Sequence, residues 1–188
     1  MAKNDGFGSW HHLAARFFGA LSPAGPAPAD EVWARQRLLD GEQDLWGRMS
    51  GPDRRHAVGV ARDTMRLLDP EPAGRDVVAA ALLHDVGKVE SGFGTFARVG
   101  VTLAALALGR ARLLRWAGDP PGVGDRARRS LRGRVGLYLT HDRLGARLLV
   151  AAGSEPLTVA WAGEHHLAPE RWTVGASVGA ALKAADGD

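Results

Sequence analysis

The stretch AALLHDVGK, residues 80–88, decides how the rest of the chain is read. An apolar run, Ala79 to Leu83, passes straight into a histidine and an aspartate. A segment that buries this run takes His84 and Asp85 into the interior with it. A desolvated carboxylate needs a counter-charge, a hydrogen bond or a metal. The rest of the chain must supply partners for the pair.

Outward from this stretch the pattern is helical almost everywhere from Asp30 onward. RDVVAAALLHD (75–85) reads as a helix that Gly87 stops. Upstream, DEVWARQRLL (30–39) opens with an acidic first turn. SGPDRRHAVGVARDTMRLL (50–68) starts with Ser50 and Pro52, a capping signal, and stays periodic to Leu68. Downstream, residues 97–117 read as one helix, whose apolar face would form a lid or a dimer face. AGDPPGVGD (117–125) breaks the chain. RARRSLRGRVGLYLTHD (126–142), RLGARLLVAAG (143–153), EPLTVAWAGEHH (155–166) and VGASVGAALKAAD (174–186) continue the helical pattern. Sustained alternation and Asn-Gly hairpins are absent. The predicted class is all-α, with one domain at 30–188 built from about seven or eight helices. Residues 1–29 read as a short N-terminal extension. In it SPAGPAPA (22–29) is a Pro/Ala linker. Trp10, Leu13, Phe17 and Leu21 precede it at helical spacing, which suits a small helix docked on the domain, a partner or a membrane.

Composition narrows the function classes. The 188 residues are 45% hydrophobic and 24% charged, as in an ordinary globular protein. There is no cysteine, which removes disulfides, zinc–thiolate sites and a cysteine nucleophile. Formal net charge is only +3, so no strong long-range field follows from the totals. Lysines are rare: Lys3, Lys88 and Lys183. One of them stands beside the His-Asp pair. The start, MAKNDGFGSWHHLAARFF, lacks the continuous apolar core of a signal peptide, and the run VGVTLAALALG (99–109) is too short to span a bilayer. A cytoplasmic protein is the expectation.

Seven histidines occur, two of them, His11 and His12, in the extension. The other five are His56, His84, His141, His165 and His166, each beside an apolar run. Asp186 ends the last helix. If those helix ends meet in one bundle, imidazoles and carboxylates converge. Nitrogen with carboxylate oxygen suits zinc, iron, manganese or a similar divalent ion, magnesium included.

The order His56, His84-Asp85, Asp186 resembles the signature of the HD-domain superfamily of metal-dependent phosphohydrolases. LLHDVGK (82–88) is similar to that family's HD-x-G-K form. His141 in HDRLGARLL resembles a further family histidine, followed by a glycine and an apolar helix. His165-His166 in WAGEHH resemble the paired histidines of the two-metal branch, to which HD-GYP phosphodiesterases belong. The resemblance covers about residues 45–186. It implies a helical HD domain in which His56, His84, Asp85 and Asp186 hold a first metal. It implies that Asp85 bridges to a second metal held by His141, His165 and His166. It also implies that Lys88 reaches the substrate phosphate or a water on the metal. Chemically this is coherent. A metal lowers the pKa of bound water from about 15.7 toward 7, and two metals about 3.5–4 Å apart steady both oxygens of an in-line displacement. Phosphate esters repel anionic nucleophiles, so cations matter more than covalent catalysis.

The match has departures. LAPERW follows the paired histidines where cyclic-di-GMP hydrolases have a Gly-Tyr-Pro loop, so that substrate is not implied. HDVGKVE replaces the HDxxED form of alarmone hydrolases, and Glu90 is given no role. Asp188 is a rival to Asp186 as the last ligand. Arg54 and Arg55 directly precede His56 and would line a phosphate pocket or merely occupy a first helical turn. GDRARRSLRGRVG (124–136) carries Arg126, Arg128, Arg129, Arg132 and Arg134, either a nucleic-acid-binding edge or a solvated face.

The expected function is hydrolysis of a phosphomonoester or phosphodiester, with a nucleotide as substrate and one or two divalent metals. Asp85 and Lys88 would be the catalytic pair. Two other classes compete: a non-catalytic HD-fold nucleotide sensor or scaffold, and a nucleic-acid-binding protein using Arg126 to Arg134.

Overall fold

The computed structural model describes residues 24–69, 73–118 and 125–187. The extension's Trp10, Leu13, Phe17 and Leu21 lie outside them, as does Asp188. Among the described residues the protein is all-helical, with no strand. Ten helices have eight residues or more. They are α1 (Pro28–Arg35), α2 (Asp40–Arg48), α3 (Gly51–Leu67), α4 (Arg75–Leu83), α5 (Thr95–Leu108), α6 (Arg110–Ala117), α8 (Leu131–Leu139), α9 (His141–Ala151), α10 (Pro156–Glu164) and α11 (Ala176–Asp186). A single turn, α7, covers Asp125–Arg128. Two 3-10 turns lie at Val86–Ser91 and Pro169–Arg171. No single described helix is long and apolar enough to cross a membrane.

Several local signals act as the residues suggest. Ser50 accepts a hydrogen bond from the Asp53 amide at 3.3 Å and caps α3, with Pro52 in the first turn. Ser130 caps α8 by accepting from Gly133 at 3.0 Å. Other boundaries differ from the periodic reading. Pro28 opens α1 inside the expected linker, because its fixed φ suits a first helical turn. Residues 97–117 are two helices, since Gly109 at φ 85° leaves helical geometry between α5 and α6. Thr140, at φ −115° and ψ 20°, separates α8 from α9 and makes His141 the first residue of α9. The split at Gly109 and the helix α2, which the periodic reading did not assign, raise the number of helices above seven or eight.

Gly87 also acts differently from a stop signal. The helix has already ended at Leu83, and Gly87 lies within the 3-10 turn. A Cβ there would sit 1.9 Å from the His141 carbonyl oxygen and 2.6 Å from the Gly145 amide nitrogen. The missing side chain lets the start of α9 touch the segment after His84-Asp85.

The main core buries Trp46, Trp161, Leu82, Leu83, Leu149 and Leu182 between α2, α3, α4, α9, α10 and α11. Every residue from Val77 to Leu83 is buried, so α4 is a central helix covered on all sides. It packs on α3 and α10, α11 lies against α3, and α9 lies against α10 and the 3-10 turn. A smaller cluster of Phe93, Val101, Ala117, Val135 and Leu139 holds α5 and α6 to α8. This arrangement brings the ends of α4, α10 and α11, the start of α9 and the first part of α3 to one place.

Candidate metal centre

Each ligand-type side chain reaches this place for a local reason. His84 follows α4 directly and keeps helical geometry at φ −53° and ψ −36°. Asp85 departs from it, at φ −99° and ψ 8°. His165 follows α10, and Asp186 is the last residue of α11. Three helix C-termini therefore carry site residues, and the partial negative charge at such ends favours a cation.

The side chains meet. His56 Nε2 lies 2.9 Å from Asp186 Oδ1. His84 Nε2 is 3.4 Å from Asp85 Oδ2 and 3.7 Å from Asp186 Oδ1. The other Asp85 oxygen, Oδ1, is 3.3 Å from His141 Nε2 and 3.8 Å from His165 Nε2. His166 Nε2 lies 3.3 Å from His141 Nε2. Within each of two groups, His56/His84/Asp186 and His141/His165/His166, the ligand atoms all lie within 4.8 Å of one another. Either group can hold a metal ion. Asp85 stands between them with one oxygen toward each.

The fit to a cation rests on the second nitrogen of each ring. His84 Nδ1 donates to Ala81 O at 2.9 Å, His141 Nδ1 to Tyr138 O at 2.7 Å, and His165 Nδ1 to Ala162 O at 3.0 Å. Such bonds fix the tautomer and aim the Nε2 lone pair inward, the outer-shell pattern of metal-binding histidines. The Nε2 atoms of His84 and His165 are buried without a hydrogen-bond partner. A buried polar atom left unsatisfied costs about 1–3 kcal/mol; at His84 the Asp85 and Asp186 carboxylates, 3.4 and 3.7 Å away, compensate in part. Nitrogens bound at about 2.0–2.1 Å to a tetrahedral ion stand roughly 3.4 Å apart, close to the separation of His141 and His166.

Charges are set by burial against neighbours. Burial opposes a proton on His84, yet Asp85, with Asp186 behind it, pushes the ring up to about 9. Burial, reinforced by the His84 charge, pushes His165 down to about 2, leaving that ring neutral. Burial would raise Asp85, but Lys88 and His84 hold it well below the usual carboxylate range. Asp186 is held low against burial by its bond from His56 and the charge on His84. Lys88 pairs directly with Asp85 Oδ2. Against burial, Asp85, then Tyr138 and Asp53, keep its ammonium protonated. Solvent reaches the centre at its two ends, where His56 is half-buried and His166 is exposed.

His56, His84, Asp85, Lys88, His141, His165, His166 and Asp186 are thus brought together. The arginines are not. Arg54 donates to Glu31 at 3.0 Å, in a cluster with Arg35 and Trp46, and Arg55 donates to the Ala24 carbonyl. Arg128 donates to buried Glu90 at 2.6 Å, and Arg134 to the Ser91 carbonyl at 2.9 Å and over the Phe93 ring. These two brace the 3-10 turn from α7 and α8. Glu90, which the sequence reading left without a role, receives Arg48 at 2.7 Å as well. Tyr138 escaped that reading. Its ring stacks near His141, with centroids 5.8 Å apart, and its hydroxyl lies 3.1 Å from Thr102 Oγ1. The available signal was its place one helical turn before His141. Gly145, one turn after, is the other, with its own Cβ position 3.2 Å from the Gly87 nitrogen.

No family model, curated protein or solved structure matches the chain. The fold and site define the class by themselves: an all-helical protein with a buried His/Asp centre able to hold metal.

Proposed function

We propose that the protein is a metal-dependent phosphohydrolase of the HD-domain kind, acting on a phosphomonoester or phosphodiester, with a nucleotide as the favoured substrate class. The observation that carries this reading is Asp85, set between two groups of histidines with one oxygen 3.4 Å from His84 Nε2 and the other 3.3 Å from His141 Nε2.

His56, His84 and Asp186 would hold one divalent ion and His141, His165 and His166 another, which would supply Lewis acidity toward water and the phosphoryl oxygens. The chain's own residues do the rest. Asp85 shares its two oxygens between the groups. The backbone carbonyls of Ala81, Tyr138 and Ala162 hold three rings in register. Lys88, protonated and one turn beyond Asp85, restrains that carboxylate and offers a cation to a phosphoryl oxygen. The exposed His166 and half-buried His56 mark where substrate enters.

The test is elemental analysis of the purified protein together with hydrolysis of nitrophenyl phosphate esters, nucleotides and cyclic dinucleotides under several divalent metals. Bound metal and turnover that both vanish in His84→Ala and Asp85→Ala support the reading. Turnover indifferent to either change refutes it. Tight nucleotide binding without turnover under any metal replaces it with a sensor or scaffold.

A further inference from the structure

Helix α5, TFARVGVTLAALAL, is apolar but for Thr95, Arg98 and Thr102. Its inner face places Val101 against Phe93, Val135 and Leu139. Its single charged residue, Arg98, is tied to both Asp53 oxygens at 2.6 and 2.8 Å, which fastens α5 to the start of α3. Among the described residues the outer face is exposed. Phe96 is 75% exposed, Leu103 60% and Leu106 78%, at helical spacing along one stripe. Leu108 and, on α6, Trp116 extend the patch. An ordinary surface helix turns charged residues to water, so an apolar outer face of this size marks a contact surface.

The charge around the stripe says what the contact is. From residue 91 to residue 118 there is no aspartate or glutamate, but there are four arginines, of which Arg98 pairs with Asp53 and Arg110 with Asp142, leaving Arg112 and Arg115 as the charge beside the stripe. Arg112 and Arg115 stand exposed on α6. Arg132 lies over Trp116 at 5.8 Å. A two-fold dimer through this face would bring the same arginines of both copies to one rim, with no acid on either element to answer them. A surface of negative charge above an apolar layer answers both features.

We propose that α5 and α6 seat the protein on an anionic lipid bilayer. Phe96, Leu103 and Leu106 enter the boundary between headgroups and acyl chains, Trp116 lies at headgroup depth, and Arg112 and Arg115 meet lipid phosphates. The element lies in the membrane plane. Its 14 residues reach about 21 Å, short of the roughly 30 Å hydrocarbon core. The preceding apolar segment, Arg75–Ser91, meets it at a bend of 92° and is committed to the protein core by α4.

The experiment is co-sedimentation of the full chain with vesicles of phosphatidylglycerol and phosphatidylcholine, and with phosphatidylcholine alone, beside light scattering without lipid. Binding to the anionic vesicles only, weakened by salt, is expected. Leu103→Glu with Leu106→Glu should abolish it, and Arg112→Gln with Arg115→Gln should weaken it by at least about tenfold. These side chains are exposed, so circular dichroism and metal content should match the parent. Absence of binding to both vesicle types overturns the proposal. So does binding unchanged by the leucine substitutions, and so does a lipid-free dimer that they dissociate while vesicles are ignored.

Discussion

His56 Nε2 and Asp186 Oδ1 stand 2.9 Å apart although 130 positions separate them along the chain. This contact closes the centre. It joins the first part of α3 to the last residue of α11, and His84 lies next to both. Asp186→Asn keeps the shape and removes the charge. It should weaken metal binding by at least about 10-fold at the group His56 shares with His84, and spare the His141/His165/His166 group. Metal titration with elemental analysis reads this as a loss of part of the bound metal. Unchanged stoichiometry and affinity would contradict the assignment of Asp186.

Metal should stabilise the fold. An ion that binds only the native state adds about 2.7 kcal/mol at a concentration 100 times its Kd. For a chain of this size about 2–4 °C of Tm accompanies each kcal/mol, so a rise of about 5–10 °C is expected. Chelator should reverse it, and His84→Ala should shrink it. A Tm indifferent to every divalent metal would remove the centre's cation role.

Acidity should act in two directions. The raised pKa of His84, about 9 against an ordinary 6.5, means that its folded-state pairing stabilises the metal-free protein fully below about pH 6.5. That contribution fades as pH rises through about 9. Metal takes the unprotonated ring, so metal affinity should rise over the same window, with release of a proton. Calorimetry in buffers of different ionisation enthalpy measures that proton. His84→Gln should flatten both dependences.

Two glycines make a paired test of packing. Gly87→Ala would thrust a methyl group to 1.9 Å from the His141 carbonyl. It should cost about 1–3 kcal/mol or more and weaken metal binding, because α9 must move away with His141. Gly59→Ala, inside α3, meets nothing within 4 Å. It should stabilise by roughly 0.5–1 kcal/mol. Denaturant melts of both variants decide. Equal effects would mean that the close approach at Gly87 has no consequence.

Glu90 tests whether the arginines of 124–136 serve the interior. Glu90→Ala should cost about 1–3 kcal/mol, because Arg48 and Arg128 both lose a buried acceptor, although both can rehydrate at the surface. Arg128→Ala should lower Tm as well. If neither change touches stability while Arg128→Ala weakens nucleic-acid binding, the bracing role is wrong.

Helical class, the Ser50–Pro52 cap and the need of His84-Asp85 for partners could be read from residues alone. Each depends on spacing, capping or the cost of burial, which act between near neighbours. The broken run at Gly109 could not, because glycine permits a positive φ without requiring it, and a helix can also run through a glycine, as α3 does at Gly59. In the sequence Arg54 and Arg55, beside His56, read either as phosphate ligands or as part of a first helical turn, and the structure has them near the start of α3. On a helix, adjacent residues point about 100° apart, and Glu31 and the Ala24 carbonyl engage them.

The sequence by itself determined an all-α protein and named the histidines and carboxylates that burial would force to find company. Only the tertiary structure sorted them into two groups with Asp85 between, tied Arg128 and Arg134 to the 3-10 turn, and made Gly87 a contact point. Local pattern governs helices because hydrogen bonds and side-chain periodicity act over a few residues. Which distant helix ends meet is decided by packing of whole apolar faces, and that information is spread over the entire chain.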